Sequence, residues 1–225
     1  MQNIVDSLKR IDEKKKKLDA AHPLPPELVK NLQEWFTVNF IYETNALEGN
    51  SLSHMETAIV IDKGIAIGGK TVREHLELID CARAINFITK RACNKDNVSF
   101  DDILTIHKIV SEKRDLFFDV DFMQWLHTAK DHPVILAALA HYKLVTIHPF
   151  IDGNGRTARL LMNLLLLQHG YPLAIIQKEQ RSEYIAAIEH ARETDDYAPF
   201  YGVIIQAVEY GLDIYLDAVE QSNLL

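Results

Sequence analysis

The chain has 225 residues, enough for one medium domain or a domain with a helical extension, and its apolar and charged fractions are those of an ordinary globular protein. A formal net charge of −8 excludes a chain that coats nucleic acid or an anionic membrane, so any anion it binds must meet a local positive site. Two cysteines, Cys81 and Cys93, are too few for a disulfide framework and read as buried free thiols in a reducing compartment. The N-terminal stretch lacks the apolar core of a secretory signal, and LLMNLLLL is too short to span a bilayer. The expected location is cytoplasmic.

Taken in chain order, nearly every segment reads as helix. Residues up to about Leu18 are charged and 3.6-periodic, and the run Lys14 to Lys17 reads as a solvated face. Pro25-Pro26 suits a helix start, from which Leu28, Leu32, Trp35, Phe36 and Phe40 recur at helical spacing towards a stop at Gly49. Ser53 and Glu56 form a capping-box pattern, and Gly64, Gly68 and Gly69 mark a loop. Leu76 to Ile88 fits a long amphipathic helix, Ser99 and Asp102 open another, and Pro133 opens the helix that carries Ala137 to Ile147. The run from Gly155 to Gln168, ended by Gly170, is the most apolar; a helix apolar on nearly all sides must be surrounded by others. Helices over roughly Glu179–Arg192 and Tyr197–Gln221 finish the chain. No pair of strands stands out, so the expected class is all-α, built around the helix at Leu160 to Leu167.

The chemistry lies just ahead of that helix, in HPFIDGNGRTAR from His148 to Arg159. Asp152-Gly153-Asn154-Gly155 is turn chemistry, since glycine, and asparagine to a lesser degree, tolerates positive φ. The turn leads into a helix N-terminus, where free N–H groups and the positive end of the dipole favour an anion, phosphate above all. Arg156 and Arg159 oppose that dipole, so stability alone would not select them; phosphate oxygens, gripped bidentately, would compensate. Asp152 beside a phosphate makes sense if it binds Mg2+, with Mn2+ as the other candidate. His148, just upstream, suits a general base for a hydroxyl attacking phosphorus. Phe150 is expected to point inward and anchor the loop.

This stretch resembles the signature of the Fic (Fido) family, HxFx(D/E)GNGRxxR, at every position. AALAHYKLVTIHPF before it, KEQRSEY after it and GKTVREHLE from Gly69 to Glu77 extend the likeness over most of the chain. The resemblance implies a Fic-type helical bundle that transfers AMP from ATP to a hydroxyl of a target protein, with His148 as base and Asp152 as metal ligand. It implies Gly153, Asn154 and Gly155 as the anion hole, and Arg156 and Arg159 on the β- and γ-phosphates. YETNALEGN contains Thr44, Glu48 and Gly49 in the family's inhibitory pattern (S/T)xxxE(G/N), so Glu48 is expected to pair with Arg159 and displace the γ-phosphate. Tyr184, Ile185 and Arg192 fall where the family lines the adenine. A division into an N-terminal segment, 1–60, carrying the inhibitory motif, and a catalytic core, 61–225, follows.

One departure concerns the β-hairpin flap by which relatives clamp the target. SEKRDLFFDVDFMQWL, Ser111 to Leu126, has no Gly-rich turn and no alternating strands, so the flap is expected to be short, absent or missing from this sequence. Partners would be ATP and a protein offering a Ser, Thr or Tyr hydroxyl, with self-modification and a homodimer as further options, and neither nucleic acid nor membrane. Two other functions stay open: a hydrolase that removes AMP using Glu48 to position water, and a nucleotide-binding module without catalysis.

Overall fold

The computed structural model describes residues 2–111 and 120–222, and among these the regular elements are all helical. The first, α1 (Gln2–Ala20), lies along the last, α10 (Ala198–Ser222). Arg10 and Lys14 both reach Glu209, and Lys14 also reaches Asp213 at 2.7 Å. Part of the lysine run thus ties the two ends of the chain together rather than standing free in water.

Local chemistry sets most helix starts. Pro25 and Pro26 open α2 (Pro26–Leu47), where a missing N–H costs nothing. Full capping boxes open α3 (His54–Lys63) through Ser53 and Glu56, α4 (Val72–Ala92) through Thr71 and Glu74, and α5 (Phe100–Val110) through Ser99 and Asp102. Asp102 also receives Arg91 at 2.8 Å. Burial disfavours its charge, yet Arg91 and Ser99 outweigh that and hold the carboxyl below its ordinary range.

α7 (Pro133–Ile147) and α8 (Asn154–Gln168) pack against each other, and α8 also touches α2, α4 and α5. Leu160 to Leu166 are buried without exception. Asn163, the polar break in that run, is satisfied: its amide donates to Arg159 and Ala174 carbonyls and accepts the Ala174 N–H at 2.7 Å. A single 3-10 turn, Lys178–Gln180, leads into α9 (Arg181–Thr194).

Several expectations need correction. Cys81 is buried but Cys93 is exposed. Trp35 and Leu76, read as core-facing, are exposed, at 38% and 47%. Helix α6 (Val120–Thr128) is an element the sequence reading did not foresee. It arises from the stretch read as the flap's place; the rest of that stretch, 112–119, lies outside the described residues. No helix among the described residues is long and apolar enough to cross a membrane.

Candidate active site

The signature forms the turn between α7 and α8. His148 caps α7 in the left-handed region, at φ 52°, with its N–H on the Leu144 carbonyl at 3.0 Å. A non-glycine residue holds this conformation at a cost of about 1–2 kcal/mol, so the loop must be braced. Asn154 braces it from inside: its side-chain oxygen accepts the Phe150 N–H and its amide donates to the Phe150 carbonyl at 2.6 Å. Phe150 is buried, as expected. Asp152 accepts the Gly153 N–H through Oδ1 at 2.8 Å.

The two glycines are required for different reasons. Gly153 has φ +80°, and a Cβ there would approach the Cβ of Ser111 to 3.1 Å. Gly155 does not use the positive φ open to glycine. Its constraint is space: an added Cβ would lie 2.4 Å from Oε1 of Glu48. The carboxylate of Glu48 therefore rests against the backbone at the start of α8, where a helix N-terminus attracts an anion.

Arg159 is engaged through Nε and Nη2. Nε donates to the Thr44 hydroxyl at 2.6 Å, and Nη2 donates to the Thr44 carbonyl at 3.0 Å and to Glu48 Oε1 at 2.6 Å. Its side chain is 3% exposed and that of Glu48 42%. Burial opposes the charge on Arg159, but Tyr184 and Glu48 outweigh it and raise the pKa. Arg156 is buried too, yet its Nε has no partner among the described residues and its Nη2 lies 4.0 Å from Asp152. Cys81 shares this interior; burial pushes its thiol up to about 12 despite both arginines, so it is no nucleophile. His141 is held neutral, pushed down to about 3 by burial and then by Arg159, and its Nε2 meets the Tyr184 hydroxyl at 2.8 Å.

A cavity of about 270 Å³ opens over this turn. Glu48, His148, Asn154, Gly155 and Arg159 form one wall; Tyr184, Ile185 and Arg192 form another, with Arg181 and Ile188. The imidazole of His148 is exposed on that wall and not turned into the core. Thr44, Gly49, Asp152, Gly153 and Arg156 do not line it. Thr44 acts from behind Arg159, and Gly49, at φ +94°, turns the chain away after Glu48. A larger cleft of about 520 Å³, at Leu18, Phe36, Ile85 and Tyr171, holds none of the signature residues, so chemistry rather than volume marks the smaller one.

Asp152 is the only signature carboxylate, half-buried, with Oδ2 3.6 Å from Arg73. No cluster of three or more His, Cys, Asp or Glu side chains among the described residues could form a cage for a metal. One partly open carboxylate fits the mode in which Mg2+ takes a single protein ligand, phosphate oxygens and waters.

The sequence reading missed two residues. Arg181 donates from Nε to the Leu47 carbonyl at 2.9 Å, joining the end of α2 to α9. His107 stacks on Phe150 and bonds the Asp152 carbonyl. Arg181 lay inside KEQRSEY; His107, 41 residues upstream of His148, gave no local signal.

The Fic/DOC family description matches residues 83–166. A Drosophila ananassae protein named protein adenylyltransferase Fic is 36% identical over 93% of this chain and 47% of its own length. The protein of that name from Culex quinquefasciatus is 35% identical over 94% of this chain and 48% of its own. The chain thus spans about half the length of the curated relatives it matches. Among solved structures, C. elegans Fic-1 (aa134–508) superimposes with a TM-score of 0.86 at 32% identity, covering 95% of this chain and 71% of that one. A Fic-domain-containing signaling protein from Bacteroides thetaiotaomicron shares the fold at 24% identity and a TM-score of 0.87, covering 96% and 98%. An all-helical bundle with a complete signature at the mouth of its central helix, and relatives of this kind across nearly its whole length, give one conclusion: the chain belongs to the Fic/DOC family.

Proposed function

We propose that the chain is a protein adenylyltransferase that moves AMP from ATP to a Ser, Thr or Tyr hydroxyl of a target protein, and that Glu48 holds it in check. The observation that carries this reading is the Glu48 carboxylate, 2.6 Å from Arg159 and pressed on the Gly155 backbone. An internal anion occupies the place where a phosphate would sit.

In the proposed reaction His148 takes the proton of the attacking hydroxyl. That oxygen bonds the α-phosphorus, the bond to the β-phosphate's bridging oxygen breaks, and pyrophosphate leaves. In this reading Gly153, Asn154 and Gly155 form the anion hole, Gly153 by shaping the turn and the amides that open α8 by facing the phosphates, with Arg156 and Arg159 on the β and γ groups. Tyr184, Ile185 and Arg192 bound the adenine side. Asp152 would hold Mg2+, or Mn2+, which supplies charge neutralisation at the phosphates when bound.

With Glu48 on Arg159, ATP is misaligned for transfer. Residues 1–60 act in this reading as an inhibitory segment on a catalytic core, 61–225. A cytoplasmic setting, self-modification and a homodimer belong to the same proposal, with no nucleic-acid or membrane partner.

The test is labelling with α-labelled ATP. Glu48→Gly is expected to raise self-labelling at least about tenfold, the effect of restoring roughly 1.4 kcal/mol of transition-state binding. Adding His148→Ala is expected to abolish it. Equal labelling of the two variants overturns the reading, and ATP binding by calorimetry without any turnover would mark a non-catalytic module instead.

A second reading has its own support: the Glu48 carboxylate is half-exposed in the same cavity as His148. It could orient water for removal of AMP. Release of AMP from a modified protein, lost in Glu48→Gly, would identify that activity.

A further inference from the structure

We propose that His107 is a positioning residue that fixes the turn presenting His148 and Asp152; the effect on catalysis rests on the adenylyl-transfer reading above. His107 lies on α5, on the face formed by Ile103, Ile106 and Val110, and is itself buried. An imidazole at such a position loses its hydration, and burial lowers its pKa. An aliphatic residue would fill the space without that cost, so the ring's polar edge needs a reason to be there.

The reason is the signature turn. The imidazole lies flat on Phe150, centroids 3.6 Å apart and planes within 7°. Its Nε2 faces the Asp152 carbonyl at 3.0 Å; a carbonyl only accepts, so Nε2 carries the proton. One side chain thus grips the turn at two points, on either side of exposed Ile151. These points follow His148 by two and four residues. The turn around them carries Gly153 at φ 80° and, at φ 52°, His148, a non-glycine residue whose left-handed conformation needs outside support. Asn154 holds the turn from within, and His107 holds it against α5.

The carbonyl that His107 holds belongs to Asp152 itself, so loss of that bond frees the peptide that aims its carboxylate. It leaves Arg159, Gly155 and the Ile185 wall in place. The rate of transfer should therefore suffer, and ATP affinity should not.

The test uses the full chain in the Glu48→Gly background. His107→Phe keeps a flat ring and loses the donor; His107→Gln restores a donor without the ring. His107→Phe is expected to lower the labelling rate about tenfold, within the range that a small misplacement costs. The calorimetric ATP Kd should change less than about twofold. Hydrogen exchange read by NMR at the Phe150 and Gly153 amides should speed up about tenfold. His107→Gln is expected to recover most of the rate, which a purely space-filling role would not allow. Unchanged rate and unchanged exchange in His107→Phe overturn the proposal, as does a loss of ATP affinity that accounts for the whole effect. If His107→Phe does not fold, equal rates for His107→Gln and its Glu48→Gly parent support it, and a His107→Gln rate as low as that of His107→Ala overturns it. If the parent itself labels nothing, the transfer reading fails, while the exchange measurement still decides whether His107 holds the turn.

Discussion

The two arginines of α8 stand three residues apart and live in opposite circumstances. Arg159 has its donors spread over the Thr44 hydroxyl, the Thr44 carbonyl and the Glu48 carboxylate. Arg156 is equally buried, but its Nε is unmatched among the described residues and its nearest carboxylate is 4.0 Å away. Burying a charged group's donor without an acceptor is costly. The difference teaches that one arginine of this pair is satisfied by the chain's own groups while the other keeps a donor free among the described residues; on the proposed reading, that donor awaits a phosphate.

Removing each arginine breaks the comparison most directly. Arg159→Ala is expected to cost about 3 kcal/mol in urea unfolding, at the low end for a broken buried pair because Glu48 can rehydrate. Arg156→Ala should cost under about 1 kcal/mol, mainly lost packing of its stem. Equal costs would mean that the asymmetry has no energetic content.

Gly155→Ala sharpens it next. The new Cβ would collide with Glu48 Oε1, so the substitution is expected to cost about 2 kcal/mol in the native chain and markedly less in Glu48→Gly. An additive double-mutant cycle would show that the carboxylate does not rest on that backbone.

Thr44→Val tests the back of the clamp at nearly constant volume. Losing one hydrogen bond to a charged group is expected to cost about 1.5 kcal/mol and to raise self-labelling a few-fold, since Arg159 is freed only in part.

The smallest effect concerns the segment that follows Glu48. Glu74 accepts from the hydroxyls and N–H groups of Ser51 and Thr71, and these bonds, that of the Ser51 hydroxyl first, bring its pKa down to about 2. A depressed carboxyl adds stability above its unfolded value, about 4.3, and loses it as pH falls towards 2. In acid titrations the stability gap between the native chain and Glu74→Gln should therefore be constant near neutrality and close between about pH 4.5 and 2.

Much of this site was legible because its parts are contiguous. A helix start, two glycines and two arginines within eight residues state an anion site without reference to the rest of the fold. The partnership of Glu48 with Arg159 spans 111 residues and was readable only through a second short pattern. His107 had no such marker, since a lone histidine on an apolar helix face looks like an ordinary core residue until the fold brings it to the turn, and Arg181 lay inside a quoted stretch without a role of its own. The helices were legible from capping boxes and apolar periodicity, since both are local. Exposure was less so: Trp35 and Leu76 obey the helical period, but periodicity does not say how far the neighbouring helix reaches. At Gly155 the sequence leaves two reasons open, a positive φ or close approach to the backbone, and only the fold shows that the crowding group is a carboxylate at the end of α2.

Glu48 is not inside α2; it is the residue that caps it, just beyond Leu47. Helix ends fray at far lower energy than helix middles. On the proposed reading, a brake mounted there slips now and then on its own, so the enzyme would idle at a low background turnover and never stop completely. On the same reading, a partner would raise the output by lengthening those slips, unwinding one half-turn and leaving the bundle beneath as it is.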